Sequence, residues 1–483
     1  VLGEVGACSK NLQFDEFSSN SIFRAQNSNM QEQTMWGHPK GLYILFFTEL
    51  WERFSFYGMR AILVLYLTAQ TTGDNPGLDW TSKEALALYG WYGMFVYFMG
   101  IFGGAIADKW LGQKQSVLVG GVLIILGQFS ISIDSLMTFY SGLILLVCGV
   151  GLLKPNISTM VGGLYKKGDI RRDAGFTIFY IGINIGALAA PLLVGYIGET
   201  YDWHLGFSLA GIGMILGQIV YVFGRKHLQG IGDLLKHSAT EAHLATKPLS
   251  KVEKDRLIVL LLSFLIVIVF WAAYEQAGGL MNLYARDSVD RLLFGWEIPT
   301  SWFQSLHAFY VVLIGGPMAV IWLRWSKKGK ESSAVFKMAV GMIIMAVSFL
   351  ALMGAVYDAS LSAIGKAPIY WLLLSYFLHV VAELSISPVA LSFITKLAPA
   401  KYASLTMGAY FAIVGIGNKA AGLLGEAAQE SGVMTVFAII ATMCFIVGLL
   451  VFALVKKLKT LTHGAEDEIL ESPHDEEAQS IAE

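Results

Sequence analysis

Apolar residues fall in blocks of about twenty along this chain, and polar residues gather in the short stretches between them. Twelve blocks can be marked, near residues 41–69, 87–107, 115–134, 137–165, 174–198, 205–224, 257–280, 304–325, 335–356, 368–397, 403–427 and 433–456. At about 1.5 Å per residue, a helix of this length spans the ~30 Å hydrocarbon layer of a bilayer. The longest polar interruption, 225–256, divides the blocks six and six. The pattern predicts an all-α membrane protein with a six-helix bundle over 37–224, a linker over 225–256 and a second bundle over 257–459. Residues 1–36, rich in Ser, Asn and Gln, read as a disordered tail and not as a signal peptide, with Met30 a candidate start. Residues 460–483 read as an acidic disordered tail.

The first block departs from the pattern. Glu49, Glu52, Arg53 and Arg60 sit in its middle, between Gly-Leu-Tyr-Ile-Leu-Phe-Phe-Thr and Ala-Ile-Leu-Val-Leu-Tyr-Leu. Each would cost about 2.5–3.5 kcal/mol at the bilayer centre if it met lipid. At about 100° per residue, Glu49, Glu52, Arg53, Phe56, Tyr57 and Arg60 share one stripe, and two acids with two bases sum to zero charge. That stripe is expected to face a polar cavity inside the bundle, where ionisable groups mark an ion, proton or substrate path. The alternative is a salt-bridge cluster that only holds helices together.

Composition agrees with a membrane protein: of 483 residues 55% are hydrophobic and 14% charged, with a mean hydropathy of +0.58. Soluble domains average about 25% charged. A net charge of −2 and the lack of a basic patch interleaved with aromatics argue against nucleic acid as a partner. Cys8, Cys148 and Cys444 are far apart, without metal or disulfide spacing, and read as packing residues. No nucleophile–base set suggests an enzyme. Lys and Arg number 26 in the tails and even-numbered loops against 4 in the odd-numbered loops, which places both termini in the cytoplasm. Twelve spans in two halves around a central cytoplasmic loop is the layout of the major facilitator fold, whose site lies between the halves. Gly103-Gly104-Ala-Ile-Ala-Asp108-Lys109-Trp-Leu-Gly112-Gln-Lys114 matches the facilitator loop pattern between spans 2 and 3. Asp108 is read as a structural gate that accepts hydrogen bonds from a neighbouring helix end, with an ordinary loop acid as the alternative.

Further polar groups interrupt later spans. Lys154 precedes Pro155 and Asn156 in span 4; it needs an anion, for which Glu49 or Glu52 is available, or it snorkels to an interface. Tyr180 and Asn184 share a face of span 5, where Asn184 either reads a polar substrate or bridges helices. In span 7, Trp271 and Glu275 lie one turn apart. Burial favours the neutral form of Glu275 and a nearby arginine its charged form, which makes it a candidate proton switch or, alternatively, a water-exposed acid at the span's mouth. His307 opens span 8. Span 10 carries His379, read as a packing histidine, and Glu383; span 11 carries Tyr410 and Lys419, the latter without an assigned role.

Across 40–456 the chain resembles the proton-dependent oligopeptide transporter family. The marks are Glu49-x-x-Glu52-Arg53 continued to Tyr57 and Arg60; Leu153-Lys154-Pro155-Asn156; Phe179-Tyr180-x-x-Ile-Asn184; Trp271-x-x-Tyr274-Glu275-Gln; and Glu383-Leu-x-x-Ser387-Pro388. The resemblance implies that Arg53 and Lys154 hold a peptide carboxylate, and that Asn184 and Glu383 hold its ammonium. Tyr57, Tyr97 and Trp271 would line side-chain pockets, with His307 and Tyr410 also at the substrate. Glu275 with Arg60 would be the proton-linked pair, and Glu49 and Glu52 would couple proton binding to release through Arg53 and Lys154. Departures from the family's pattern are His307 in place of Asn, Tyr410 in place of a common Trp, a linker too short for two extra helices, and Tyr89 or Gly90 where animal members carry a histidine. The implied function is a proton-coupled symporter importing di- and tripeptides by alternating access, a multi-pass protein of the bacterial inner membrane. It would be a monomer in membrane lipid, without cofactor or metal, with protons as coupling ion and short peptides as substrate. The alternatives are the same fold moving nitrate or another small anion, or a peptide-binding receptor without transport.

Overall fold

A computed structural model describes residues 34–166, 169, 171–234, 250–398 and 402–465. The expected tails through residue 33 and from residue 466, and the linker's middle at 235–249, lie outside them. Twelve long helices appear among the described residues. In the first half these are α1 (Lys40–Thr68), α2 (Ser82–Ile106), α3 (Gln113–Ile131), α4 (Leu136–Gly163), α5 (Arg171–Thr200) and α6 (Trp203–Gly224). In the second they are α7 (Lys251–Ser288), α8 (Trp302–Lys327), α9 (Ala334–Leu361), α10 (Ile369–Leu397), α11 (Ala403–Ser431) and α12 (Val433–Leu461). Eleven are long and apolar enough to cross a membrane; the other is α1, as long as its neighbours but loaded with the four ionisable residues.

Local chemistry sets the helix ends. α2 opens on a capping box in which the Thr81 hydroxyl accepts from the Glu84 amide while the Glu84 carboxylate accepts from the Thr81 amide. Ser250 and Glu253 do the same for α7. Between α11 and α12 stands one residue, Gly432, at φ +85°, a conformation that costs glycine little. Ahead of α1 a two-residue strand, Thr34–Met35, pairs with His38–Pro39.

Three helices depart from regular α geometry. α2 continues through a π turn, Ala107–Leu111, that carries Asp108. α5 contains a π turn at Pro191–Gly195, where the proline lacks the amide an α-helix would use. α7 breaks at a 3₁₀ turn, Glu275–Gly278, and resumes at Leu280 after Gly279.

Within the first half, α1 packs against α5 and α6, and α4 against α2 and α3; in the second, α9 packs against α10 and α12, and α7 against α11. Small residues permit these crossings. A Cβ on Gly103 would lie 2.0 Å from the Gly151 carbonyl oxygen, so α2 and α4 touch backbone to backbone. The halves meet along α2–α11 and α5–α8. At the first seam, Gly90 and Gly422 face each other so closely that a Cβ on either would stand 2.9 or 2.8 Å from the other's Cα. This is the major facilitator fold.

Bonds between the halves gather toward the end of the odd-numbered loops. The Glu199 carboxylate at the end of α5 accepts from the Thr300 and Ser301 amides, at 2.8 and 2.7 Å, ahead of α8. Arg286 donates to Thr68 at 2.6 Å, Asn282 to the Ala61 carbonyl at 3.0 Å, and Lys83 pairs with Glu430. The molecule is tied shut at this end.

Candidate functional site

The stripe on α1 does face inward. Glu49, Glu52 and Arg53 are 2%, 0% and 2% exposed, which keeps all three from lipid. Arg53 Nε lies 3.1 Å from Glu49 Oε1 and also bonds Glu52 Oε2, so one guanidinium serves two acids. Its plane lies over the rings of Phe56, at 5.2 Å, and Tyr57, at 5.9 Å. Glu49 Oε2, Glu52 Oε1 and Arg53 Nη2 are buried without a protein partner among the described residues. Each such atom costs about 1–3 kcal/mol, more when charged.

About two helical turns beyond Arg53, Arg60 crosses to the second half. Its Nη2 pairs with Glu275 Oε2 at 2.6 Å. Tyr89 of α2 closes the triangle: its hydroxyl accepts from Arg60 Nε at 2.8 Å and donates to Glu275 at 3.2 Å. The break in α7 makes room for this. Glu275 begins the 3₁₀ turn, and a Cβ on Gly278 would stand 2.2 Å from the Tyr89 hydroxyl and 2.8 Å from Arg60 Nε. Glu275 is 3% exposed.

Between the halves lies a cavity of about 720 Å³, mouth included, lined by Tyr57 and Arg60 of α1, Tyr180 and Asn184 of α5, His307 of α8 and Glu383 of α10 among others. Asn184 bonds the Tyr180 carbonyl at 2.9 Å and borders the open space. Glu383 Oε2 lies 2.8 Å from His307 Nε2, and the Tyr274 hydroxyl bonds the same nitrogen. A smaller cavity beside it is lined by Phe56, Arg60, Tyr89, Tyr92, Tyr97 and Glu275, among others. Arg60 borders both, and Tyr57 lies within electrostatic reach of Arg53, Arg60, Glu275 and Glu383. The cavity thus has the Arg60 cation on its first-half wall and the Glu383 carboxylate on its second-half wall.

Other expected residues lie apart or differently bonded. Arg53 and Lys154 border neither cavity. The Lys154 ammonium sits 4.8 Å over the Tyr97 ring and makes no ion pair with Glu49 or Glu52 among the described residues. That corrects the expected partner: both acids already converge on Arg53, one turn or less away on the same helix. Trp271 packs edge-on against Tyr274, with ring centroids 4.9 Å apart, and Tyr410 is buried beside Trp271. Asp108 is exposed on its π turn without a described hydrogen bond, so the expected helix-end contact is not made in this conformation. His379 is buried, bonded through Nδ1 to Ser348 at 2.6 Å. Lys419 pairs with Glu426 at 3.2 Å and lies over Trp91.

The sequence reading passed over Tyr89 as a contact of Arg60 and Glu275, and left Tyr274, Gln304 and Tyr376 out of the cavity lining. A tyrosine in an apolar span carries no periodic signal that separates a cavity hydroxyl from a packing ring. Only Tyr274, inside the Trp271-to-Glu275 run, had a sequence cue.

A sequence model of the POT family matches residues 114–247 and 231–437. The chain is 33% identical to the peptide transporter YePEPT of Yersinia enterocolitica, over 90% of this chain and 98% of that one. It is 37% identical to a di-/tripeptide transporter of Lactococcus lactis subsp. cremoris, over 80% and 89%. Among solved structures, a peptide transporter of the same family in complex with sulfate superposes with a TM-score of 0.82 at 33% identity, covering 89% of this chain and 97% of that one. A second, in complex with a thioalcohol-conjugated peptide, gives 0.81 at 28% identity, with 88% and 98% covered. This multi-pass membrane chain belongs to the POT family of transporters.

Proposed function

We propose that this chain is a proton-coupled symporter that imports di- and tripeptides by alternating access. The observation that carries the reading is the interface cavity, with Arg60 on one half and Glu383 on the other, bordered by an Arg60–Glu275 ion pair that itself spans the halves. A zwitterionic peptide needs a cation at one end and an anion at the other, so binding draws the halves together. Proton arrival at Glu275 neutralises one side of that ion pair and frees the halves to rock. Arg53 and Lys154 enter as carboxylate-holding groups once the cavity widens toward them, with Glu49 and Glu52 as proton acceptors that modulate them. Trp271, Tyr97 and Tyr410 flank side-chain pockets, and Asp108 acts at the α2–α3 gate. Each proton moved inward supplies about 2.3 kcal/mol per 100 mV of membrane potential.

The same reading assigns both termini to the cytoplasm, so the tied end faces outward and this conformation opens inward. It assigns the chain to a bacterial inner membrane, an assignment supported by bacterial relatives, as a monomer needing no cofactor. The bundles 37–224 and 257–459 are the rocking bodies, with 225–256 as their tether. Proteoliposomes given an inward proton gradient are expected to accumulate labelled dialanine, with excess dialanine but not nitrate competing. Folded protein that binds dialanine and accumulates none would leave a receptor; competition by nitrate alone would leave an anion carrier.

A further inference from the structure

The side of α8 turned away from the cavity runs apolar and then basic. Gln304, His307, Ala308 and Val311 face the cavity. On the opposite side of the helix, at about 100° per residue, lie Leu313, Val320 and Ile321, which are 56%, 45% and 52% exposed. The same stripe ends in Arg324, Lys327 and Lys328, all exposed. α8 packs against α5 and α10, so this stripe is left to the bilayer. From Arg324 to Lys337 the chain holds five bases and one acid, in a molecule of net charge −2. That acid is already taken: the Glu331 carboxylate accepts from the Ser333 amide at 2.9 Å and meets the Lys459 ammonium of α12 at 3.7 Å. Arg324, Lys327 and Lys328 make no ion pair among the described residues. The loop beyond them is pinned back on the helix end. Trp325 Nε1 donates to the Glu331 carbonyl at 2.9 Å, the Lys330 ammonium lies 4.4 Å over the Trp325 ring, and Gly329 makes the turn at φ +65°.

We propose that this end of α8, with the loop that follows it, is a binding site for an anionic phospholipid. The phosphate sits among Arg324, Lys327, Lys328 and Lys330, and the acyl chains lie along Leu313, Val320 and Ile321. A soluble anion would leave the apolar stripe unused, and a neutral lipid would leave the cations unused; an anionic head on an acyl body uses both. The site lies outside the cavity and is independent of what the cavity carries.

The test is native mass spectrometry of the purified full chain in detergent, titrated with phosphatidylglycerol or with phosphatidylcholine of the same acyl chains. Each base near a membrane surface is worth about fivefold in affinity for anionic lipid, so the wild-type chain should prefer phosphatidylglycerol on the order of 100-fold. The triple variant Lys327→Gln, Lys328→Gln, Lys330→Gln should bring the two lipids within about tenfold of each other, and arginine at the same three positions should keep the preference. Arg324→Gln alone, a milder change, should cost about fivefold. Lys109→Gln, Lys226→Gln and Lys254→Gln together remove three exposed bases from the other even-numbered loops and should leave the preference unchanged. Equal affinity of the wild type for both lipids overturns the proposal. An equal loss in the two triple variants overturns it as well, since the attraction would then belong to the whole basic side. A preference for phosphatidylglycerol that emerges only on removal of residues 466–483 would assign the patch to the chain's own acidic end, and overturns it too.

Discussion

Tyr89 holds an arginine and a glutamate on one hydroxyl, with Tyr89 and Glu275 buried and Arg60 at the cavity wall. Replacing it with Phe removes two hydrogen bonds to charged groups, each worth about 1.5–3 kcal/mol, while keeping the ring over which Arg60 sits at 5.7 Å. Tyr89→Phe is expected to slow proton-driven uptake about tenfold or more, with peptide exchange across equal pH retained; counterflow against driven uptake in the same vesicles measures the split. Glu275→Gln should go further, abolishing driven uptake with exchange intact, and driven uptake by that variant would remove Glu275 from the coupling role. How far these residues were legible differs for each. The stripe on α1 could be read because spacings of three and four place Glu49, Glu52, Arg53, Tyr57 and Arg60 on one face. The Arg60–Glu275 pair is separated by 215 residues, and only family resemblance linked its members. Tyr89 had been seen merely as the occupant of a histidine's place, because no local pattern aims a hydroxyl at charges two helices away.

At the scale of the helix, the crossings rest on glycines. Gly103→Ala sets a methyl group 2.0 Å from the Gly151 carbonyl oxygen and forces α2 off α4. Overpacking of this kind costs about 1–3 kcal/mol, so the detergent-solubilised variant should unfold several degrees below the parent chain in a thermal melt. Gly104 next door has open space around its Cβ position, and Gly104→Ala is the control that should leave the melt nearly unchanged. Helix existence and order could be read from apolar blocks of about twenty residues. The irregularities could not, because a π turn at Pro191–Gly195 and the 3₁₀ turn at Glu275–Gly278 are imposed by neighbours in other helices. Lys154 shows the same limit: composition demanded an acid, yet both acids were spent on Arg53 and the lysine rests on Tyr97.

Across the whole molecule, the halves must part where they are now tied. Lys83 and Glu430, from α2 and α11, bring their side-chain ends together at the closed end. Cysteines at both positions should be bridged by a bis-methanethiosulfonate reagent long enough to replace the two side chains, which should arrest net uptake while dialanine still binds, with activity returning on reduction. The test uses a Cys8→Ser background, in which the remaining native thiols are Cys148, half-buried, and Cys444, buried. Cross-linked protein with undiminished uptake would show that this end does not open. Glu199→Ala deletes the carboxylate that receives two amides ahead of α8, and should favour the outward-open state, seen as faster labelling of cysteines placed near Ser305.

The interruption of α7 divides its loyalties. Residues before Tyr274 pack with the second bundle, whereas Asn282 and Arg286 beyond it are bonded to α1 in the first. A single strand of backbone is therefore clamped by both bodies, with Gly278 and Gly279 as its elbow. That elbow has no room for even a methyl group, since a Cβ on Gly278 would stand 2.2 Å from the Tyr89 hydroxyl, so a side chain there would pry the backbone off the first body and loosen one of its two grips.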